Sequence, residues 1–358
     1  MAGKDLVTRT ASRLYEERYM TDGANGIDTL LFSTPDEDLS ANFRLDRYIS
    51  SPYGMSYRNP TNQALIRHFA PGTTELIEVP RASEKTPIDE TLREQVAVGM
   101  EPTAGQAMQM AKNVNQILGD HVEGNNMTKW YQAINAVRTG IFVAKGDNGA
   151  DLGLGYDMGR NVSQAITYDF TAGGETMSEA LTNMSLQLDK TNTPKANRIA
   201  ILGATWITEW SGDSGILEEM QANSANQILA QDMFEKKFGN IEGLYVLGQY
   251  RPRGATSPFW ILSYVPGFEY VAYKGASAVP FIPDTEAVAL SLNDKTYSIK
   301  RGVDAFDDRG KVMRVVGDLV VDSYSENDPI TTFIRSQTRH MYIYGNIDHT
   351  VKSVGTFS

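Results

Sequence analysis

The stretch AGQAMQMAKNVNQILGDHVEGNNMTKWYQAINAVRT, residues 104–139, decides the fold. Ala107, Met110, Val114, Ile117 and His121 recur at three-four spacing, and so do Met127, Trp130, Ile134, Val137 and Ile141. Such spacing puts one apolar face on a helix, and the stretch has no proline after Pro102. Gly119 and Gly124 lie between the two series, each costing about 1 kcal/mol against alanine inside a helix. The pattern permits one helix or two. A single helix from about Ala104 to Thr139 would run on the order of 50 Å at about 1.5 Å per residue, longer than a small domain needs.

Upstream the period changes. Phe43 and Leu45, with Tyr48 after a shift, alternate in NFRLDRYIS, and Ala64, Ile66 and Phe69 follow in ALIRHFA, then Leu76, Ile77 and Val79 in TELIEVP. These strand-like runs flank a turn-rich tip, SSPYGMSYRNPTN, and Pro71-Gly72 punctuates the return, so residues 41–86 read as a long protruding hairpin. A two-stranded ribbon is marginal alone and needs a surface to lie on. On this hairpin Phe43, Leu45, Tyr48, Tyr53, Met55, Tyr57, Ile66 and Phe69 are candidate contacts with another subunit, because aromatics and Met are enriched at interface cores. Ordinary packing within the subunit is the competing reading for each. Residues 1–40 hold a short amphipathic opening and the turn-rich pieces TDGANGIDT and FSTPDEDLS, and read as an extended arm that orders along a neighbour.

Downstream, GIFVAK and QAITYDF read as strands around a glycine-rich turn. Thr176 and Glu179 fit a capping box that opens the amphipathic helix TMSEALTNMSLQLDK, which Asn192 and Pro194 end. RIAILG, ATWITEW, SANQILAQDMFEKKFG, LYVLGQY, FWILSYV and YVAYK continue an α+β pattern, and KVMRVVGDLVVDSY and TTFIRSQTRHMYIYGNI close the chain as β-branched sheet.

Composition narrows the function classes. The 358 residues are 41% hydrophobic and 22% charged, enough to bury a core, and no stretch approaches the roughly 20 apolar residues that span a bilayer. The charged opening MAGKDLVTRTASRLYEERYM lacks a signal peptide's apolar segment, which points to synthesis and use in a cytoplasm. Zero cysteines exclude disulfides, thiolate nucleophiles and cysteine metal sites. A net charge of -11 argues against a protein built to grip nucleic acid, since that affinity comes largely from Lys and Arg.

Chemical motifs are weak. Gly212-Asp213-Ser214-Gly215 copies part of a serine nucleophile loop, but none of His68, His121, His340 or His349 sits in a general-base context, so a turn is expected. GLGYDMG lacks the GxGxxG spacing, and RIAILGATW has one glycine where a dinucleotide fingerprint needs three. No paired histidines and no calcium-loop spacing occur, so no metal, cofactor or catalytic residue is expected.

The order of elements resembles the tailed-phage major capsid fold, the Hong Kong 97-like fold, and within it the lambda-type branch, the phage capsid E family. Three blocks carry the resemblance. VPRASEKTPIDETLRE (Val79–Glu94) is similar to the basic, proline-containing strand leaving the hairpin loop, and WYQAINAVRTGIF (Trp130–Phe142) to the end of the spine helix. DPITTFIRSQTRHMYIYGNIDHTVKSVGTF (Asp328–Phe357) is similar to the closing sheet. The glycines at 119 and 124 depart from the charged, glycine-poor helix of that family.

The resemblance implies an α+β chain divided into an N-terminal arm (1–40), an extended hairpin loop (41–86) and a peripheral domain with the spine helix (87–170). An axial domain (171–311) and the closing sheet of the peripheral domain (312–358) follow. It implies a non-enzymatic major capsid protein that forms hexamers and pentamers with itself, passes through a procapsid and encloses the double-stranded DNA of a tailed phage. A separate scaffolding protein is expected, since the arm at Met1 leaves no room for a fused one, together with a portal protein, a decoration protein and only weak contact with packaged DNA. Such a protein resides in the virion, is assembled in the host cytoplasm and meets no membrane. Two alternatives stay open: an encapsulin-like nanocompartment shell, and a cytoplasmic α+β hydrolase using Ser214.

Overall fold

One helix of 36 residues, Ala104–Thr139, forms the axis along which the sheets pack. At about 1.5 Å per residue it is about 54 Å long. The computed structural model describes residues 26–32, 36–37, 42–47, 73–88, 103–145, 151–171, 174–213, 216, 227–252, 255, 257–272, 275–293, 297–301, 304–308, 311–315, 318–327 and 330–357. The helix continues through Gly119 and Gly124, which settles the choice that periodicity left open. Packing on both sides of the glycines accounts for this. Val114, Ile117 and Leu118 bury against Ile88 and Ile334, while Trp130, Ala133, Ile134, Ala136 and Val137 enter the largest core cluster. Tertiary burial of this extent outweighs about 1 kcal/mol per glycine.

Before the helix the chain forms a short helix (Ile27–Leu31), β1 (Asp36–Glu37), β2 (Asn42–Arg47), β3 (Thr73–Glu78) and β4 (Arg81–Pro87). After it come β5 (Ile141–Lys145), β6 (Asp151–Asp157), β7 (Ala165–Asp169), the helix Met177–Lys190, β8 (Arg198–Leu202) and the helices Ala204–Gly212 and Gln227–Phe238. The strands β9 (Leu244–Tyr250), β10 (Phe259–Tyr264), β11 (Glu269–Tyr270), β12 (Val279–Pro280), β13 (Glu286–Ser291) and β14 (Tyr297–Arg301) follow. β15 (Asp304–Asp308), β16 (Lys311–Val315), β17 (Val320–Asn327), β18 (Ile330–Tyr344) and β19 (Val351–Thr356) complete the chain.

The lobe is a six-stranded mixed sheet in the order β7-β19-β13-β8-β10-β9. It is covered on both faces. Ile199, Ile201, Trp260, Leu262, Val288 and Leu290 join one core, and Ala200, Leu202, Phe259, Ile261, Ala287 and Ala289 join the other. A sheet buried on both faces needs apolar residues at every position, which is why RIAIL and FWILS show no alternation. The helix Met177–Lys190 covers one face, and its capping box forms as expected. Thr176 Oγ1 accepts from the Glu179 N–H at 3.2 Å, and Glu179 Oε2 accepts from the Thr176 N–H at 2.9 Å.

The closing sheet is built on β18, a strand of 15 residues. β17 pairs with its first half and β4 pairs with Phe333–Arg339 on the opposite edge, while β14 pairs with its last five residues and β1 lies parallel to β14. Two assignments from sequence change here. β4, in the block read as the strand leaving the hairpin loop and placed as far as Thr86 within 41–86, is a strand of the closing sheet, and β19, read within the closing sheet at 312–358, pairs with β13 and β7 in the lobe. Strand propensity does not specify a partner, which long-range register alone supplies. Within the segment read as an arm, residues 27–31 are helical and bury Ile27, Asp28 and Leu31 in the molecule's own core. β2 and β3 pair antiparallel, Asn42 with Glu78 through Arg47 with Thr73. The hairpin tip lies outside the described residues.

An added Cβ at Gly124 would meet only Glu84 Oε2, at an ordinary 3.7 Å. Gly124→Ala is therefore expected to raise the stability of the isolated subunit by about 0.5–1 kcal/mol in urea unfolding, with secondary structure unchanged.

Candidate assembly site

Three polar joints fasten the long helix to the rest of the chain, and a fourth lies inside the lobe. At the first, the N-terminal helix lies on Trp130 so closely that a Cβ on Gly26 would fall 1.6 Å from Trp130 Nε1. Phe32 packs on Tyr342 with ring centroids 4.9 Å apart, and the Tyr342 hydroxyl donates to Asp28 Oδ2 at 3.3 Å. Burial pushes the Asp28 carboxyl above the ordinary carboxylate range, and the Lys129 ammonium partly offsets this. Lys129 itself reaches from the long helix to Asp318 Oδ2 at 2.6 Å, close to the start of β17.

At the second joint, the buried His121 lies between two strands of the closing sheet. Its Nε2 is 2.8 Å from Thr86 Oγ1 on β4, and its Nδ1 is 2.5 Å from Ser336 Oγ on β18. Burial holds the ring below its ordinary pKa of 6.5, against the upward pull of Glu84 and Asp120. The neutral imidazole can donate to one hydroxyl and accept from the other. A serine bonded to a histidine is also the core of a hydrolase dyad. Here both side chains are buried and the second nitrogen faces a threonine hydroxyl, so the group acts as a bracket between three elements.

The third joint closes the helix's C-terminus. Gly140 adopts φ +75 and its N–H donates to Ala136 O at 2.9 Å, the backbone turn for which glycine is suited. Arg160 donates to Arg138 O at 2.5 Å, to Val137 O and to Thr350 Oγ1 at 2.7 Å, so one guanidinium satisfies the last carbonyls of the helix. Burial lowers the Arg160 pKa to about 10. Beside it, Glu286 on β13 receives Arg138 at 2.7 Å and Lys352 on β19 at 3.0 Å. Burial drives the Glu286 carboxyl up, but its hydrogen bonds to the two cations leave it below the ordinary range.

The fourth joint lies inside the lobe. Arg198 is fully buried at the start of β8 and donates to Asp189 Oδ1 at 2.8 Å, Thr193 O at 3.0 Å and Ser185 Oγ at 3.2 Å. It thereby ties the end of the helix Met177–Lys190 to the sheet.

The sequence motifs with chemical overtones resolve into packing. Asp213 Oδ1 accepts the Ile216 N–H at 3.2 Å, and Ser214 and Gly215 lie outside the described residues. GLGYD belongs to β6, where Gly155 approaches Phe142 O, and Gly159 turns with φ +70. RIAILGATW is a strand, one glycine and a helix. A Cβ on Gly203 would fall 2.2 Å from Pro283 O, and Thr205 N donates to Asp284 O at 3.1 Å, so a chain carbonyl occupies the place where a phosphate would bind. His340 contacts Thr338 and His349 contacts Asn346, while His68 lies outside the described residues. Among the described residues no cluster of His, Asp or Glu is placed to hold a metal ion, and no helix is long and apolar enough to cross a membrane.

Of the candidate contact residues, Phe43 pairs with Ile77 and Leu45 with Glu75 across the β2–β3 ribbon. Tyr48, Tyr53, Met55, Tyr57, Ile66 and Phe69 lie outside the described residues. Sequence reasoning missed Asp28, Lys129, Arg160 and Arg198. His121 alone left a signal, as a polar residue at a helical position reserved for apolar ones.

Residues 56–354 match the family model described as phage major capsid protein E. Comparison with curated proteins gives no match. Among solved structures, a prophage protein of E. coli CFT073 assigned as a capsid protein is 14% identical with a TM-score of 0.63, over 98% of this chain and 99% of that one. A phage-related protein of Bordetella bronchiseptica RB50 is 9% identical with a TM-score of 0.49, over 96% and 95%. The mature capsid of bacteriophage PhiM1 is 14% identical with a TM-score of 0.48, over 93% and 87%.

Two outcomes follow from the joints. The unfolded chain takes up a proton near pH 6.5 that the folded His121 resists, so this joint's stability is complete above pH 6.5 and is lost as pH falls toward the lower folded pKa. The drop in urea midpoint between pH 7.5 and 5.5 should therefore be smaller in His121→Gln than in the parent. Gly26→Ala should cost about 1–3 kcal/mol by forcing the N-terminal helix off Trp130, and should be seen as faster proteolysis near residue 26 and altered tryptophan fluorescence.

Proposed function

The chain belongs to the phage major capsid protein E family and is a head-shell protein of a tailed phage, and from that premise we propose how copies of it assemble. The match across residues 56–354 carries this reading. Hexamers and pentamers first close into a procapsid around a separate scaffolding protein, with a portal protein at one vertex. The shell then expands around packaged double-stranded DNA, in the virion of a phage assembled in the host cytoplasm. Within the segments read as the arm (1–40) and the hairpin loop (41–86), the parts outside the helix Ile27–Leu31, β1 and β4 reach over adjacent subunits, and Phe43, Leu45, Tyr48, Tyr53, Met55, Tyr57, Ile66 and Phe69 make contacts there. The spine helix and closing sheet form the peripheral body, and the lobe packs around the symmetry axes. Identical subunits in a closed shell need large shared surfaces of this kind.

Two physical features support the details. A net charge of -11 suits a container that holds DNA by confinement, because an acidic wall lets the polymer slide. With zero cysteines and no sequence signal for isopeptide crosslinking, non-covalent contacts hold the mature shell, with a decoration protein as a further partner. The family match also disfavours the hydrolase reading. The family match favours a phage head over an encapsulin-like compartment.

Purified full-length protein viewed by negative-stain microscopy should show shells, tubes or capsomers. A monodisperse monomer at high concentration would sink the reading. Expression without other phage proteins should give aberrant particles, whereas regular procapsids would remove the need for separate scaffolding. Mature particles on a denaturing gel should run as one band, and a covalent ladder would contradict the non-covalent shell.

A further inference from the structure

The helix Ile27–Leu31 has five residues and no side-chain cap at Gly26, so local bonding alone does not hold it. Its hold on the body comes from Ile27, Leu31 and Phe32, which enter the largest core cluster, and from the close seat of Gly26 on Trp130. Among these apolar contacts stands one carboxyl. Asp28 is only 4% exposed, and its Oδ2 accepts from the Tyr342 hydroxyl at 3.3 Å. Among the described residues its Oδ1 has no hydrogen-bond partner. Neither has the hydroxyl of Tyr264 on β10, which burial first and the Asp28 charge second keep protonated.

An ionised carboxylate taken out of water needs several donors. The groups that face Asp28 do not supply them. Lys129 of the long helix is engaged by Asp318 at 2.6 Å, and the Thr29 N–H also donates to Gly26 O at 3.2 Å. β18 brings the Tyr342 hydroxyl, with the His340 ring 5.5 Å from the Tyr342 ring, and β10 brings the neutral Tyr264. Burial therefore pushes the Asp28 carboxyl above its ordinary range, helped by the Asp318 charge, against the pull of Lys129, the Thr29 N–H and Tyr342. A neutral carboxyl in the same place needs far less. A buried titratable group on a short segment ties the docking of that segment to the uptake of a proton.

We propose that Gly26–Phe32 is a proton-controlled latch, docked on the long helix and β18 while Asp28 is neutral and released when Asp28 is ionised. The latch is a property of the single subunit and does not rest on the shell reading. The docked carboxyl holds its proton more tightly than the released one. Docking is therefore complete below the ordinary pKa of 3.8, weakens as pH rises toward the higher docked value, and stays at its weakest beyond it. Release uncovers the Trp130 and Tyr342 rings and returns Asp28 to water. Acid that weakens the His121 bracket strengthens this latch, so two contacts of the long helix answer pH in opposite senses.

The test follows amide hydrogen exchange of the full chain in solution from about pH 4.5 to 8, with rates corrected for the intrinsic effect of pH. Protection of residues 26–32 should fall at least five-fold from the acid to the alkaline end, while β8 keeps its own. Asp28→Asn has the shape of the neutral carboxyl and cannot ionise, so its protection should stay at the acid level, changing less than two-fold. A smaller fall in the parent, or a parental pH dependence retained by Asp28→Asn, would overturn the proposal. A fall shared by β8 would mean that the whole chain unfolds and would overturn it equally. Should Asp28→Asn not fold, Tyr342→Phe decides the matter, because it removes a hydroxyl that favours the ionised carboxyl. The pH at which the fall levels off should then rise, and an unchanged or lower value refutes the latch.

Discussion

The structure depends on one constraint, that a 36-residue helix must be buried along both halves to exist. A helix about 54 Å long with two internal glycines is not held by propensity. Its first half lies on the closing sheet and its second half in the core that joins the lobe, so the two sheets share a single rigid element. Whatever moves one sheet therefore acts on the other through the helix. For a subunit that has to hold a fixed shape among many copies, such a shared axis is a direct means of keeping the parts in register.

Apolar burial sets this arrangement in outline, and the polar joints fix its details. Asp28, His121 and Arg160 each connect elements distant in sequence through directional hydrogen bonds, and Arg198 ties a helix to the strand that follows it. Buried polar groups seldom add much net stability, because desolvation consumes most of what their bonds return. Their effect is on uniqueness: a hydrophobic face can slide by a residue, whereas the two His121 bonds meet their hydroxyls in one register only. Burial gives the two joints opposite responses to acid, since it raises the pKa of Asp28 and lowers that of His121.

The closing sheet has two faces with different duties. One is filled by the long helix and holds the His121 bracket. The other carries the ion pair in which Asp322 of β17 engages Arg335 of β18.

The sequence by itself determined the periodic elements: the two apolar series of the long helix, the Thr176–Glu179 capping box, the buried strand RIAIL and the β-rich C-terminus, because each is encoded in spacing over a few residues. The order of those elements, with the blocks at Val79–Glu94, Trp130–Phe142 and Asp328–Phe357, was enough to indicate the family. Only the tertiary structure decided that the helix passes unbroken through Gly119 and Gly124, that β4 belongs to the closing sheet and β19 to the lobe, and that Ile27–Leu31 docks on Trp130. These rest on partners 50 to more than 300 positions away along the chain, such as Asp28 with Tyr342 and Thr86 with Ile334. A local period names the face that a residue occupies, but which face it meets is settled only when the distant strands are in register.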